Sequence, residues 1–541
     1  MKNLWGKAAL AAASAFCLCA CGSGGGTAPA AYEYEYLYEN LKFDMPRVQK
    51  PVFPDYSVNL ADAGGIGNGI AMNTEAFAQA IDDVNAKGGG TVVVPAGVWY
   101  TGPIVLKSNV NLHLEKGALI VFNPDLALYP VIDTWFEGWE SKRCQSPISA
   151  RGAENIAITG KGAIDGSGQA WRPLAREKVT EAEWNFVTSQ PGTAKDGRWM
   201  PAGNRARIRP VMVSLIECKN VLLEDVLIQN SPCWTIHPLF CENVIVDNLV
   251  VRNPDWAANG DGLDVESCRN VIVVNTKFDV GDDGVCIKSG KDAEGRKRAR
   301  PTENVIVDNC VVFKAHGGFV VGSEMSGGAR NISVSNCKFL GTDVGLRFKS
   351  KRGRGGVVEN IYAENLSMVD LATEAVLFDL YYMGLSAAEV LQAGIEPGDK
   401  DTDPIPAVTE ETPSFRNIYI KNVFCRNAYR AMYFNGLPEM NITNINVENA
   451  CISATYGAEL REVDGVNLKN IYVEPKIGAA LKIKNGKNLN IQNFDCPEGL
   501  ETALEVKGTR NANIKVSSKT INAGNSRLDV EDTKVVVLEN N

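Results

Sequence analysis

The sequence has no excess of positive charge, and this absence excludes one broad class of partner. Its 541 residues carry a net charge of −9, and 22% of them are charged. A nucleic-acid-binding protein shows a basic patch or stripe, which this chain as a whole lacks. The 45% hydrophobic content is enough for a large core. We therefore expect a globular protein, a monomer, that binds no nucleic acid.

Long apolar runs are also missing after the N-terminus, where none approaches the about 20 residues of a membrane-spanning helix. Residues 1–21 show two lysines, an apolar stretch and small residues, the pattern of a secretory signal peptide. The last four of them, Leu-Cys-Ala-Cys, resemble a bacterial lipobox, in which Cys21 would carry the lipid; an ordinary cleaved signal is the alternative. Residues 22–50 follow as a tether and N-terminal segment. We expect an exported protein, periplasmic or held in the bacterial envelope by a lipid alone.

Paired cysteine motifs are absent as well. Three of the fourteen cysteines lie within the first 21 residues, and the remaining eleven are scattered without any CxxC pair. Several of them, such as Cys286 and Cys310, stand inside apolar runs. This placement favours small buried hydrophobic residues over a disulfide framework or a metal centre. We expect no metal and no cofactor.

Helical periodicity is nearly absent, and a short repeat takes its place. An asparagine followed by alternating Val or Ile recurs at Asn155, Asn220, Asn243, Asn270, Asn304, Asn331, Asn360 and Asn417. Each unit is too small to bury its own apolar face, so the units must stack. Short strands at this spacing predict an all-β fold, a right-handed single-stranded parallel β-helix. A leucine-rich repeat is the nearest alternative, but its leucine spacing is missing. We expect the asparagines to form a ladder in which each side chain bonds the backbone of the next coil.

The remaining segments give the domain organisation. Residues 73–87 have helical spacing and predict a small N-terminal helical cap, within a cap and first coils that span residues 51–125. The β-helix would then occupy residues 126–541. Segments near 172–208 and 384–414 interrupt the repeat, and we expect them to be loops that line one side of a groove.

Stacked coils bring residues of equal phase together. Asp282 and His316 each stand twelve residues after a repeat asparagine, and Asp261, Arg347 and His237 stand sixteen to eighteen after theirs. These side chains are therefore expected in one stripe, with neighbouring coils about 4.8 Å apart. Carboxylates crowded in this way cannot all ionise cheaply, so the pKa of at least one should rise. A protonated acid beside an ionised carboxylate can cleave a glycosidic bond.

Four short motifs carry a resemblance to a known family. They read NGD at 259–261, GDD at 281–283, AHG at 315–317 and RFK at 347–349. In this order they resemble the signatures of the polygalacturonase family of pectin-degrading glycoside hydrolases (glycoside hydrolase family 28). Three motifs differ at one position each, and none of the changes removes an ionisable group. The resemblance covers roughly residues 50–500.

The resemblance implies an inverting hydrolase of the α-1,4-galacturonosidic bonds in pectin, and we lean towards release from a chain end. Asp282 would be the general acid, and Asp261 and Asp283 would hold and activate the attacking water. His316 would tune the protonation of the acid. Arg347 and Lys349 would bind the substrate carboxylate.

Other residues are candidates for binding the substrate at neighbouring positions. Tyr382, and then Tyr381, are candidates for sugar stacking, because the family often places an aromatic residue there. His237 and Lys288 are further candidates, although a lone histidine near Trp is as often a packed core residue.

Three alternatives stay open at this stage. A pectate-lyase-like enzyme could hold calcium on the three aspartates. A rhamnogalacturonan-directed hydrolase of the same family would tend to lack the second aspartate and the histidine, which this chain keeps. A non-catalytic glycan-binding β-helix need not retain three carboxylates.

Overall fold

The computed structural model describes residues 32–396, 398–400 and 402–540, so the expected signal peptide and Cys21 lie outside the described residues. The chain divides into one unit that ends at Asn40 and a second that begins at Leu41. In the first unit, Glu35–Leu37 form a 3-10 turn, and the Tyr32 ring lies edge-on to Tyr34 with centroids 5.8 Å apart.

The second unit is built from short strands. Strands β1 to β12 are Ser57–Asn59, Asn68–Met72, Gly90–Val94, Gly97–Thr101, Ile104–Val105, Val110–Leu114, Ala118–Phe122, Val131–Phe136, Trp139–Cys144, Ile148–Arg151, Glu154–Gly160 and Ala163–Asp165. Strands β13 to β24 are Leu174–Ala175, Gly192–Lys195, Arg198–Pro201, Val213–Ile216, Lys219–Glu224, Leu227–Gln229, Ile236–Leu239, Glu242–Asp247, Val250–Arg252, Leu263–Glu266, Arg269–Val274 and Lys277–Asp279. Strands β25 to β33 are Val285–Lys288, Thr302–Asp308, Val311–Phe313, Gly317–Val321, Ala329–Ser335, Lys338–Leu340, Val344–Lys349, Val357–Val369 and Glu374–Asp379. Strands β34 to β40 are Ser414–Asn435, Ile442–Asp464, Asn467–Asp495, Leu504–Lys507, Ala512–Ser518, Ser526–Asp529 and Val536–Asn540.

The helices are few and short among the described residues. Helices α1 to α5 are Thr74–Ala86, Glu181–Thr188, Arg205–Ile208, Asp292–Arg298 and Ala387–Gln392. No helix of the described part is long and apolar enough to cross a membrane.

The strands form coils that pair in parallel with the coils before and after them. Along one sheet, Val221 pairs with Val244, which pairs with Val271 in the following coil, and all three side chains are buried. The same apolar columns run through the interior, because alternate residues of each strand point inward. The predicted parallel β-helix is confirmed.

Two of its sheets position the site. We call the sheet of β16, β19, β22, β25, β28, β31 and β33 the groove sheet, and the sheet of β12, β18, β21, β24 and β27 the floor sheet. In each coil the chain leaves the floor sheet, makes a turn and enters the groove sheet. These turns carry three of the four motifs.

The asparagine ladder exists, but its bonds differ from the expectation. The side chain of Asn270 donates to the side-chain oxygen of Asn243 (3.1 Å) and accepts from Asn304 (3.1 Å), rather than bonding backbone. Asn270 has φ +58°, a left-handed conformation that asparagine tolerates better than most residues. The ladder asparagines therefore hold the corner of each coil in two ways, by conformation and by side-chain bonds.

The cap and the insertions are also more structured than the sequence indicates. Helix α1 covers the first coils as predicted, although Asn73 at its start bonds Ile66 and Tyr100 instead of capping the helix. The segment near 172–208 contains α2, α3 and an antiparallel sheet of β13, β15 and β14, and the segment near 384–414 contains α5. Sequence reasoning missed the antiparallel hairpin of β8 and β9 altogether.

The cysteines match their expected role. Of the eleven described cysteines, all are free and ten are buried, with Cys451 exposed.

Candidate active site

Three adjacent strands of the groove sheet bring the motifs together. Strands β22, β25 and β28 pair in register, with Leu263 opposite Val285 and Val285 opposite Phe319. NGD and GDD lie just before β22 and β25, and AHG ends on the first residue of β28, so the turns that carry Asp261, Asp282 and His316 stack at one edge of the sheet.

The two glycines around the aspartate pair are required by close packing rather than by backbone conformation. A Cβ on Gly281 would lie 2.5 Å from the backbone oxygen of Pro254, and one on Gly284 would lie 2.8 Å from the Val312 side chain. Both distances are shorter than real Cβ atoms show. The turn therefore packs directly on the preceding and following coils, and this fixes Asp282 and Asp283 in place.

The three carboxylates form one cluster. Oxygen atoms of Asp261, Asp282 and Asp283 all lie within 4.8 Å of one another. Asp261 and Asp283 are 2% and 1% exposed, whereas Asp282 is half-buried. The Asp282 side chain accepts a hydrogen bond from the backbone N–H of Asp283 (3.0 Å), which fixes its orientation.

Within the cluster of three aspartates, Asp261 is the one whose charged form is disfavoured. Burial, reinforced by the negative charges of Asp264 and Asp282, raises the pKa of Asp261 well above its ordinary value. Its Oδ1 is buried and has no hydrogen-bond partner among the described residues. The expected rise in pKa therefore falls on Asp261.

Asp282 has the opposite tendency because of His316. The His316 Nδ1 lies 3.1 Å from Asp282 Oδ1. Burial acts to raise the pKa of Asp282, but the charge and hydrogen bond of His316 outweigh it and hold that pKa below the ordinary value. Burial acts to lower the pKa of His316, and Asp282 outweighs it and raises that pKa. The two side chains therefore favour a state in which they share one proton.

The two cations of the RFK motif face the third carboxylate. Lys349 Nζ donates to Asp283 Oδ2 (2.7 Å), and Arg347 Nη1 lies 3.6 Å from Asp283 Oδ1. The ring of Tyr382 lies over both cations, at 5.3 Å from Lys349 Nζ and 5.8 Å from the Arg347 guanidinium carbon. The structure thus gathers three Asp, His316, both cations and Tyr382, as the sequence predicted.

Tyr381 lies beside this group but faces other partners. It forms a backbone bridge with Lys351, and the Arg352 guanidinium lies 5.4 Å from its ring centroid. Tyr382 is therefore the aromatic residue next to the cations.

Two further predicted binding residues are buried and paired with acids. His237 is 1% exposed, bonds Glu266 (3.0 Å) and packs edge-on against Trp234. Lys288 is 3% exposed and lies 3.0 Å from Glu324 and 3.5 Å from Asp264. Both side chains are held by buried acids, and a substrate-binding role for either stays a prediction.

Sequence reasoning missed the ion network that surrounds Lys288. Asp264 is fully buried, and burial together with Asp283 and Asp282, opposed by Lys288, raises its pKa. Glu324 bonds Lys288 and the Ser323 hydroxyl. A charged residue between two apolar neighbours, as Asp264 is between Leu263 and Val265, was the available signal.

This arrangement can do acid–base chemistry on a bond between sugars. It offers a proton held by the Asp282–His316 pair, carboxylates within reach of one water molecule, and cations for an anionic group. The same three carboxylates could also hold a cation with a preference for oxygen ligands, but Lys349 already neutralises one of them.

Comparisons with known proteins agree with this chemistry. The family Glycosyl hydrolases family 28 matches residues 90–399. The chain is 31% identical over 347 residues to an exo-poly-α-D-galacturonosidase of Dickeya chrysanthemi, covering 60% of this chain and 57% of that protein. It is 26% identical to a probable polygalacturonase of Vitis vinifera, covering 73% of this chain and 74% of that protein.

A solved structure agrees as well. The crystal structure of a hyperthermoactive exopolygalacturonase from Thermotoga maritima is similar with a TM-score of 0.65 and 33% identity, covering 79% of this chain and 93% of that one. Because the family match spans more than half of the chain and contains all four motifs, this protein belongs to glycosyl hydrolases family 28 and is a glycosidase.

Proposed function

We propose that this glycosidase hydrolyses the α-1,4-galacturonosidic bonds of pectin, releases its products from a chain end and inverts the anomeric configuration. The observation that carries the proposal is the cluster of Asp261, Asp282 and Asp283 opposite Arg347 and Lys349. Two buried cations within reach of a reaction centre suit a sugar that bears a carboxylate. The relatives named as galacturonosidase and exopolygalacturonase support the same substrate.

Proton transfer follows from the pairing of His316 with Asp282. The pair holds one proton, and the anionic sugar, by adding negative charge nearby, favours its transfer to the carboxylate. Asp282 then gives this proton to the departing glycosidic oxygen as the bond to the anomeric carbon breaks. A water molecule attacks that carbon from the opposite face and loses its proton to the Asp261–Asp283 pair.

The carboxylate spacing is short for an inverting enzyme. Inverting glycosidases usually separate their carboxyls by about 6.5–9.5 Å, to make room for water, whereas oxygens of the three aspartates lie within 4.8 Å of one another. We propose that the water is held beside the cluster rather than between two opposed carboxyls.

Release from a chain end is supported by the covering of the groove beyond the cations. Arg347 Nη2 donates to the backbone oxygen of Leu385, and Arg352 ties the same insertion down through Asp399 (2.6 Å). On the other side, Lys178 of the first insertion lies 3.8 Å from Glu389 of the second. Two insertions that meet across a groove leave room for a chain end more easily than for a continuous polymer.

The acid assignment is tested by Asp282→Asn. Loss of the general acid should reduce kcat on homogalacturonan by about 10²–10⁴-fold, while the affinity for an oligogalacturonide stays within a few-fold. A steady-state assay together with calorimetric titration measures both. Activity that survives in the variant would show that another group protonates the leaving oxygen.

A calcium-dependent eliminase is the second candidate, because three clustered carboxylates suit a hard cation. Chelation with EDTA separates the two functions. The hydrolase keeps its activity, whereas an eliminase loses it and, when calcium is restored, forms an unsaturated product that absorbs ultraviolet light.

Two finer points belong to the proposal. We propose galacturonan over rhamnogalacturonan as substrate, because both Asp283 and His316 are present; equal rates on the two polymers would contradict this.

We also propose that Cys21 carries a lipid anchor. Cys21→Ser should then move the protein from the membrane fraction to the soluble fraction, and an unchanged distribution would exclude the anchor.

A further inference from the structure

A second cavity lies on the outer side of the turns that carry the aspartates. Its volume is about 650 Å³, which is within the about 300–1,000 Å³ of small-molecule sites. Its floor is a column of polar residues at the ends of floor-sheet strands, where Asp165 pairs with Gln229, Gln229 with Arg252, and Arg252 with Asp279. Four successive coils thus present polar side chains to one space.

Trp256 forms the aromatic wall of this Trp256 cavity. Its ring is half-buried, and the guanidinium carbon of Arg172 lies 5.2 Å from the ring centroid. Arg172 is 1% exposed and donates to the backbone oxygen of Ser231 (3.2 Å) and the side chain of Asn230 (2.6 Å). The ring is therefore held against a fixed partner, as a stacking surface requires.

The charges of the cavity cancel one another. Lys314 lies 3.2 Å from Asp255, and Arg252 lies 4.0 Å from Asp279. Asp165 accepts hydrogen bonds from Gln229 (2.9 Å) and Asn230 (3.0 Å). Three cations and three acids line the cavity: Arg172, Arg252, Lys314, Asp165, Asp255 and Asp279. A balanced lining gives a carboxylate no advantage, in contrast to the cations at the aspartate cluster.

The cavity is close to the reaction centre. A neighbouring cavity of about 390 Å³ shares Asp255 and Lys314 with it and extends to His316. Lys314 also precedes His316 by only two residues. A sugar attached to a chain in the active site can thus extend across the Asp255–Lys314 pair.

We propose that the Trp256 cavity binds one neutral pyranose, carried by the substrate as a side branch. The apolar face of such a ring stacks on Trp256, and its hydroxyl groups bond the amide and carboxylate groups of Gln229, Asn230 and Asp165. The site goes beyond the proposed hydrolysis and rests on it only for the polymer to which the sugar is attached.

The test is a binding measurement, so it does not depend on catalysis. D-galactose, L-arabinose, L-rhamnose and D-galacturonate are titrated in turn by ligand-observed NMR into the Asp282→Asn variant, with digalacturonate added to occupy the aspartate cluster without being cleaved. We expect at least one neutral sugar to bind with digalacturonate present, and D-galacturonate to bind at least tenfold more weakly under that condition. Trp256→Ala should weaken the binding of the neutral sugar by about tenfold or more, as the loss of an aromatic anchor does.

Two further variants make the result decisive. Gln229 lies away from the loop that leads to Asp261, and Gln229→Ala should also weaken the binding of the neutral sugar. The control is Trp139→Ala on the β8–β9 hairpin, where the ring is 42% exposed, and it should leave this binding unchanged. The proposal is overturned if no neutral sugar binds, if D-galacturonate binds equally well, or if Trp256→Ala and Gln229→Ala both leave the affinity unchanged. Loss of hydrolysis alone, with sugar binding intact, would count against the proposed function and not against this site.

Discussion

At the scale of single residues, the site shifts the pKa values of two acids in opposite directions by giving them different neighbours. Asp282 faces His316, which favours its charged form, whereas Asp261 is buried against other carboxylates, which favours its neutral form. The pKa of Asp282 itself is not raised, so Asp282 can act as the general acid only through the proton that it shares with His316.

Asp261→Asn should stabilise the protein at neutral pH while it removes activity. A carboxyl whose pKa is raised by folding destabilises the folded state increasingly as pH rises above the unfolded value of about 3.9. The variant removes this cost, so we expect its free energy of unfolding to exceed that of the wild type by about 1–3 kcal/mol at pH 8, with a smaller difference at pH 4. Thermal unfolding at the two pH values measures the effect.

The control for this prediction is Asp196→Asn, at an exposed side chain in the turn between β14 and β15. Its stability should match the wild type at both pH values. A variant at Asp261 that is less stable than the wild type at pH 8 would mean that its charge is compensated in the folded protein.

His316→Asn should shift the loss of activity to lower pH. In the wild type the Asp282–His316 pair loses its proton only as pH rises through the raised pKa of His316, above about 6.5. Without the imidazole, the proton is lost at the pKa of Asp282, whose neighbours Lys349 and Arg347 favour its charged form. The profile of kcat/KM against pH measures the shift, and His113→Asn in a distant coil is the control. If the alkaline limb of this profile did not move, the Asp282–His316 pair would not share the catalytic proton.

The principal site residues could be predicted because their motifs are local and ordered along the chain. Asp282 and Asp283 share one tripeptide, and His316 and Arg347 follow at single-coil steps. Sequence phase does not reveal burial, so the buried acidic partners of Lys288 and His237 could not be predicted. Glu324 and Asp264 were missed for the related reason that a buried ion pair joins residues from different coils.

At the scale of elements, the corners of the coils determine the register of the strands. Each ladder asparagine combines a left-handed backbone with bonds to the asparagines above and below it. Alternating Val and Ile fixed the strands from sequence alone. The β8–β9 hairpin and the structured insertions were not predictable in this way, since they have no repeat and their folds depend on packing against the coil stack.

Asn270→Ala should destabilise the protein by about 3 kcal/mol, through a strained alanine and two lost side-chain bonds. Glycine adopts the left-handed conformation without strain, so the loss of stability in Asn270→Gly should be smaller by about 1 kcal/mol. Chemical denaturation of both variants gives the two contributions. Equal stability of the alanine variant and the wild type would show that the ladder is dispensable.

At the scale of the whole molecule, the β-helix is a rigid support on which turns from successive coils assemble one site. The acids come from two coils, the imidazole from a third and the cations from a fourth. We propose that the insertions then limit how much of a polymer can enter. Fold and chemistry could thus be predicted from the repeat and the motifs, whereas contacts between the insertions, such as Lys178 with Glu389, could not.

The most direct test measures the first products formed from homogalacturonan in the presence of EDTA. Chromatography gives their length, and proton NMR gives the anomeric configuration of their new reducing ends. Our account predicts short products from the first minutes, each with a new reducing end in the β-configuration, formed at an undiminished rate. An α-configured reducing end, or an unsaturated product whose formation stops with EDTA, would contradict hydrolysis by inversion at the three aspartates.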